Sequence, residues 1–127
     1  MPRIAYIDDE PFIRGMAREV LEDSGYAVED FAEPAEFLSS DCRGFDAIFS
    51  DYNMPGMNGN EMIKELRSRG INTPACIVTG QNDGSVYRKI RSECINEEIF
   101  IIRKPFEISE LLDAASLMVG YSSGDTA

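Results

Sequence analysis

The chain has 127 residues and a mass of 14.2 kDa, a size that suits a single globular domain. Its 23 Asp and Glu residues outnumber its 12 Lys and Arg residues, and the formal net charge is −11. Because this charge repels nucleic-acid phosphates and anionic lipids alike, we expect no direct nucleic-acid binding and no membrane attachment. The hydrophobic content of 43% is typical of a folded chain.

The small number of cysteines and the lack of histidine limit the kinds of metal or catalytic site that this chain can form. The three cysteines are odd in number and far apart, which indicates reduced thiols and no disulfide framework or zinc site; they are Cys42, Cys76 and Cys94. The sequence contains no histidine, which excludes a histidine metal site and a histidine catalytic base. No apolar run reaches about 18 residues, and the N-terminus has no signal-peptide pattern. We therefore expect a cytoplasmic protein.

Short apolar runs alternate with helical patterns through the first half of the chain. The first run ends abruptly at an acidic stretch, and the helical pattern that follows starts near Pro11 and stops at Gly25. The other predicted elements here are strands at Arg3–Ile7, Ala27–Phe31 and residues 46–50, and a short helix at Pro34–Ser39.

The second half of the chain repeats this alternation. A loop bracketed by Gly56 and Gly59 leads into a helical pattern that stops at Gly70. The remaining predicted elements are strands at Ala75–Thr79 and residues 99–103, a helix at about residues 85–94, and a last helix from about Ile108. Residues 121–127 are rich in Ser, Gly, Asp and Thr and are expected to form a flexible tail or the start of a linker, so residues 1–120 are the expected domain.

The order of these elements predicts the fold class. Apolar strands joined by helical crossovers indicate a parallel sheet that is covered by helices on both faces. We expect a doubly wound α/β sandwich of the flavodoxin-like type, with five βα units and the strand order 2-1-3-4-5. Ligands of such folds bind at the carboxyl ends of the strands, at the switch point where the first and third strands are neighbours.

Chemically capable side chains stand at the ends of four of the five predicted strands. They are Asp8 and Asp9 after the first strand, Asp51 after the third, Thr79 after the fourth and Lys104 after the fifth; nothing comparable follows the second. Two carboxylates about 4 Å apart repel by roughly 4 kcal/mol at an effective dielectric of about 20, so three of them together require a cation. Oxygen ligands suit Mg²⁺, and the lysine and the hydroxyl complete a site for a phosphoryl group.

Four stretches around these residues extend over most of the chain. They are YIDDE at residues 6–10, SDYNMPGMNG at residues 50–59, VTG at residues 78–80 and RKPF at residues 103–106. In this order and spacing they resemble the receiver domains of bacterial two-component response regulators, of the single-domain chemotaxis type. The second stretch is highly specific to that family.

The resemblance implies a role for each acidic residue. Asp51 is the expected phosphoacceptor, whose carboxylate attacks the phosphorus of a phosphohistidine on a sensor histidine kinase or a histidine phosphotransfer protein. Asp8, Asp9 and Asp51, with the main-chain carbonyl of Asn53, are expected to hold Mg²⁺, for which Mn²⁺ is an alternative. The domain would catalyse its own phosphorylation and dephosphorylation, so we expect a regulatory phosphoacceptor and not a conventional enzyme.

The resemblance also assigns the switch residues. Lys104 is expected to pair with the bound phosphoryl group and Thr79 to hydrogen-bond to it, and the peptide between Lys104 and Pro105 is expected to be cis. The family usually places an aromatic residue three positions before the lysine, where its ring moves together with the threonine. Here that residue is Ile101, a β-branched aliphatic with no ring to swing, so the readout of Thr79 must differ.

The predicted function is a phosphorylation-dependent signalling switch that changes its affinity for an unknown downstream protein, as a monomer or a phosphorylation-dependent dimer. Two other classes of protein fit less well. A Mg²⁺-dependent phosphohydrolase would need a second acid two residues after Asp51, where Asn53 stands. A flavodoxin-like cofactor binder would need a phosphate loop after the first strand, where the acidic residues 8–10 repel phosphate.

Overall fold

A computed structural model of the protein describes residues 1–80, 84–93 and 99–123. The elements of this part of the chain are β1 (Arg3–Ile7), α1 (Pro11–Asp23), β2 (Ala27–Phe31), α2 (Pro34–Ser39), β3 (Ala47–Asp51), α3 (Gly59–Ser68), β4 (Ala75–Thr79), α4 (Gly84–Glu93), β5 (Phe100–Arg103) and α5 (Ile108–Ser123). None of these described helices is long and apolar enough to cross a membrane. Cys94 and residues 124–127 of the predicted tail lie outside the described residues.

The strands form one parallel sheet in the order β2-β1-β3-β4-β5, which confirms the predicted fold class. In the centre of the sheet, Ile7 of β1 pairs with Ser50 of β3. Asp51 of β3 then pairs with Val78 of β4, one residue before Thr79. The carboxyl ends of these neighbouring strands consequently meet at one end of the sheet, as the sequence analysis expected.

Two hydrophobic clusters cover the two faces of the sheet. On one face, α2, α3 and α4 contribute side chains such as Phe37, Leu66 and Ile90. On the other face, α1 and α5 contribute side chains such as Leu21 and Leu111. Because β3 and β4 are buried along their whole length and their side chains alternate between faces, both strands supply both clusters. This packing holds the end of β3 rigidly inside the protein.

The start of α3 is packed directly against the end of β3. The side chain of Asn58 accepts a hydrogen bond from the Glu61 N–H at 2.8 Å, and the Glu61 side chain accepts one from the Asn58 N–H at 2.9 Å. This reciprocal cap satisfies two donors that the first turn would otherwise leave free. A Cβ atom on Gly59 would lie 2.7 Å from the Asp51 carbonyl oxygen, so only glycine permits this close approach.

The boundaries of some elements differ from the sequence expectation. Helix α5 extends to Ser123, so the first three residues of the segment expected to be a tail are helical. The ring of Tyr121 lies 6.1 Å from the ring of Phe100 in β5, and this contact holds the last turns of α5 against the sheet. The other differences are shifts of one residue, at both ends of β3 and at the starts of α4 and β5. The division of the chain into a domain and a tail stays a prediction.

Candidate functional site

Asp8 follows β1 and is fully buried at the end of the sheet. Its main-chain N–H donates to the Phe31 carbonyl oxygen of β2 at 3.1 Å. Its side-chain oxygen Oδ1 accepts a hydrogen bond from the Glu10 N–H at 2.9 Å. Burial raises the pKa of the Asp8 carboxyl, and this effect outweighs the hydrogen bond from Glu10 and the charge of Lys104, both of which favour the ionised form.

Asp51 is the last residue of β3, and 7% of its surface is exposed. Burial raises the pKa of its carboxyl to about 6, and the negative charges of Asp8 and Asp9 contribute in the same direction. The ammonium group of Lys104 opposes this rise without cancelling it. Asp51 is therefore a buried carboxylate whose negative charge is incompletely balanced.

Lys104 brings the one described ammonium group that contacts this cluster, and it does so from the residue after β5. Its Nζ lies 3.2 Å from Asp8 Oδ2, 3.5 Å from Asp51 Oδ1 and 3.8 Å from Glu10 Oε2. Burial alone would lower the pKa of Lys104, but the neighbouring carboxylates, Asp51 first and Asp8 next, raise it. The peptide between Lys104 and Pro105 is cis, as the resemblance implied.

Thr79 ends β4 beside these groups and is 3% exposed. Its carbonyl oxygen accepts a hydrogen bond from the Lys104 N–H at 2.7 Å, so the ends of β4 and β5 are joined at the site. The register agrees, because Thr79 pairs with Arg103, the residue before Lys104. The structure thus brings Thr79 to the same end of the sheet as the acids, and the predicted role of its hydroxyl stays a prediction.

The three aspartates fit a divalent cation. One carboxylate oxygen from each of Asp8, Asp9 and Asp51 lies within 4.8 Å of the other two, and this oxygen-only donor set is the kind that Mg²⁺ prefers. With Lys104 included, the formal charge of the cluster is 1 − 3 = −2. Burial is the main cause of the raised pKa values of Asp8 and Asp51, and for Asp51 the negative charges of Asp8 and Asp9 add to it. Asn53, two residues after Asp51, is exposed, and its carbonyl oxygen stays a predicted ligand.

Strand alternation places Ile101 away from the phenylalanine next to it. Ile101 is partly buried and packs against the cluster shared by α2, α3 and α4. Phe100 packs against the cluster on the opposite face, between α1 and α5. Phe100 therefore cannot take the place of the aromatic ring that the family usually has at the position of Ile101. The role of Ile101 in switching stays a prediction.

Strand β2 also contributes to the site, through Asp30, although no residue comparable to the other site residues was expected after this strand. Arg14 of α1 donates a hydrogen bond from Nη1 to the Asp8 carbonyl oxygen at 2.8 Å. The same guanidinium donates from Nε to Asp30 of β2 at 2.9 Å. The sequence feature that could have indicated this pairing is Arg14, one helical turn after the acidic residues 8–10, together with Asp30 in the neighbouring strand β2. Their pairing depends on strand order, which no local pattern reveals.

The sequence and the fold both agree with one protein family. A model of the response regulator receiver domain matches residues 4–116, and the chain belongs to this family. Family members are regulatory phosphoacceptor domains of two-component systems. The matched stretch includes all the strand ends that build the site described above.

Individual relatives support the same assignment. Transcriptional regulatory protein FixJ of Azorhizobium caulinodans is 32% identical over 120 residues, which cover 92% of this chain and 54% of that protein. Response regulator MprA of Mycobacterium ulcerans is 33% identical over 113 residues, which cover 87% of this chain and 47% of that protein. The chain therefore spans about half the length of these curated relatives.

Solved structures share the fold over nearly their whole length. The chemotaxis response regulator CheY4 of Vibrio cholerae matches with a TM-score of 0.79 and 30% identity, covering 93% of this chain and 98% of that one. A CheY-like receiver domain from Methanospirillum hungatei matches with a TM-score of 0.84 and 22% identity, covering 98% of each chain. The second likeness is evidence for the fold alone.

Proposed function

We propose that this domain receives a phosphoryl group on Asp51 from a phosphohistidine of a histidine kinase or a histidine phosphotransfer protein. The observation that carries the proposal is the position of the Asp51 carboxylate, which is buried beside two other acids and 3.5 Å from the Lys104 ammonium group. A carboxylate can attack an anionic group only where its own negative charge is balanced. Lys104 supplies part of that balance.

The transfer forms one bond and breaks one. A carboxylate oxygen of Asp51 attacks phosphorus while the bond from phosphorus to the imidazole nitrogen breaks, and the leaving imidazole keeps the electron pair. Lys104 pairs with the phosphoryl oxygens as they arrive. Asp8, Asp9, Asp51 and the carbonyl of Asn53 would hold Mg²⁺, with Mn²⁺ as an alternative, and the ion when bound would supply the remaining positive charge.

The signal is a change in the surface that partners recognise. Because the Thr79 carbonyl accepts the Lys104 N–H at 2.7 Å, a movement of Lys104 toward the phosphoryl group is coupled to the end of β4. The Thr79 hydroxyl then hydrogen-bonds to the phosphoryl group, and Ile101 transmits the change through its packing against the hydrophobic cluster to which α4 contributes. The domain, which acts in the cytoplasm as a monomer or a phosphorylation-dependent dimer, then changes its affinity for a downstream protein. Self-catalysed hydrolysis resets the switch.

Labelling with a small phosphodonor tests the proposal. The protein is incubated with phosphoramidate and Mg²⁺, and its intact mass is measured. The wild-type chain should gain one phosphoryl group and Asp51→Asn none, whereas Asp23→Asn, an exposed acid at the last residue of α1, should react like the wild type. A wild-type chain that stays unmodified, or an Asp51→Asn variant that reacts as well as the wild type, would overturn the proposal.

A further inference from the structure

The side chain of Arg14 links the acidic loop after β1 to the neighbouring strand β2. Its Nη1 donates to the Asp8 carbonyl oxygen at 2.8 Å, and its Nε donates to Asp30 Oδ2 at 2.9 Å. Only 19% of the Arg14 side chain is exposed, so water competes weakly for these two bonds. Bonds from a planar guanidinium are charge-assisted and have a defined direction. The guanidinium group of Arg14 thus holds the acidic loop after β1 and is itself held by Asp30 of β2.

With Arg14 in place, each main-chain and side-chain polar group of Asp8 has a partner. The N–H donates to the Phe31 carbonyl, and the two carboxylate oxygens accept from the Glu10 N–H and from Lys104 Nζ. The carbonyl oxygen accepts from Arg14. Because a peptide unit is planar, a bond that fixes this carbonyl also fixes the plane that leads into Asp9.

The position of the Asp9 carboxylate depends on that plane. Asp8 and Asp51 are buried and held by packing, whereas Asp9 is exposed. An oxygen of Asp9 nevertheless lies within 4.8 Å of an oxygen of each of the other two acids. Rotation of the peptide between Asp8 and Asp9 would carry this oxygen away from the group. The backbone, and thus the bond from Arg14, brings Asp9 to the cluster.

We propose that Arg14, anchored by Asp30, is a positioning residue for the divalent cation that the three aspartates would hold; the inference rests on the proposed function. Replacing a group that orients metal ligands typically weakens metal binding by about 10–100-fold. The charge of Arg14 acts in the opposite direction, because removing a nearby positive charge strengthens the attraction for a cation. Weaker Mg²⁺ binding after loss of Arg14 therefore identifies positioning and not electrostatics.

The test is calorimetric titration of Mg²⁺ into the metal-free chain at a temperature where circular dichroism shows each variant folded. Arg14→Gln should raise the Kd for Mg²⁺ by about tenfold or more. The matched control is Arg18→Gln, which removes an equal charge bound to the same Asp30 and to Glu22. Because Arg18 is 44% exposed, its loss should change the Kd by less than about twofold. Asp30→Asn should raise the Kd in the same direction as Arg14→Gln, and less.

The possible results separate two failures. Equal Kd values for Arg14→Gln and Arg18→Gln, or tighter binding by Arg14→Gln, would overturn the positioning role alone. If Arg14→Gln does not fold, Arg14→Lys decides, because lysine keeps the charge but lacks the fork of donors that joins Asp8 to Asp30; an unchanged Kd in that variant overturns the role. A wild-type chain that binds no Mg²⁺ would overturn both this role and the metal-dependent part of the proposed function.

Discussion

Replacing Asp51 with asparagine removes a carboxylate that the folded protein keeps ionised at a cost. The side chain is buried at the end of β3, and burial, followed by the charges of Asp8 and Asp9, raises the pKa of its carboxyl from the ordinary 3.8 to about 6. Asparagine has nearly the same shape and no charge. In the absence of a divalent cation, Asp51→Asn should therefore be more stable than the wild type at neutral pH.

The size of this effect and its pH dependence follow from the two pKa values. The difference between 3.8 and about 6 corresponds to about 3 kcal/mol of unfolding free energy. Below about pH 4 the carboxyl is protonated in both states, so the wild type and the variant should be equally stable. Between about pH 4 and pH 6 the wild-type chain progressively loses stability relative to the variant, because the carboxyl ionises first in the unfolded state, and the loss is complete once the pH exceeds the folded-state pKa of about 6. Above about pH 7 the variant should melt roughly 10 °C higher.

The assay is urea unfolding with EDTA present, followed by far-ultraviolet circular dichroism at several values between about pH 4 and pH 8. Asp30→Asn serves as a control of opposite sign. Burial alone would raise the pKa of Asp30, but hydrogen bonds from Arg18 and Arg14 lower it. Asp30 therefore contributes stability at neutral pH that is lost on acidification, and Asp30→Asn should be destabilised most at neutral pH.

Two outcomes would refute the reasoning about Asp51. The first is an Asp51→Asn variant that is less stable than the wild type at neutral pH without Mg²⁺. The second is a stability difference that does not change between pH 4 and pH 8, since an uncharged packing effect would have that form. Either result would mean that the folded protein does not keep the Asp51 carboxylate under the electrostatic stress that its surroundings indicate.

Three further predictions concern the metal, the start of α3 and a control position in α1. Adding Mg²⁺ to the metal-free wild type should raise its Tm, with about 2.7 kcal/mol of added stability when the Mg²⁺ concentration exceeds the Kd 100-fold. The Tm of Asp51→Asn should rise less. A wild-type Tm that does not respond to Mg²⁺ would count against the metal site. Gly59→Ala should destabilise the protein by roughly 1–3 kcal/mol, because the new Cβ would lie 2.7 Å from the Asp51 carbonyl oxygen. Gly15→Ala in α1, where no described atom beyond its own helix lies within 4 Å, should stabilise it by roughly 0.5–1 kcal/mol; equal urea midpoints for the two variants would contradict the close approach.

The helices and strands were largely predictable because their signals are local. Apolar residues at helical spacing, bounded by Pro11 and Gly25, located α1, and short apolar runs located the central strands. The end of α5 was not predictable in this way. Its last turns contain Gly120 and serines, which favour a tail, yet the contact between Tyr121 and Phe100 keeps them helical. That contact joins residues in different elements, so no local window contains it.

The sequence also predicted which acidic side chains and which lysine the fold brings together. Three aspartates, a threonine and a lysine at successive strand ends predicted a phosphoryl site, because parallel strands bring their carboxyl ends together. What those residues could do chemically follows from their side chains. Their order along the chain, with the specific stretch at residues 50–59, was enough to indicate the family that the match over residues 4–116 then established.

Only the tertiary structure decided how strongly these groups act on one another. Three features of the site depend on contacts between different elements. They are the burial of Asp51, the 3.2 Å distance from Lys104 Nζ to Asp8 Oδ2 and the hydrogen bond from Arg14 to Asp30. Desolvation and Coulomb energies depend on distance and on the surrounding atoms, and folding alone sets both. The residue types and strand ends therefore predicted which groups come together, whereas packing determined how strongly burial raises the pKa of Asp51 and how the acidic loop is held.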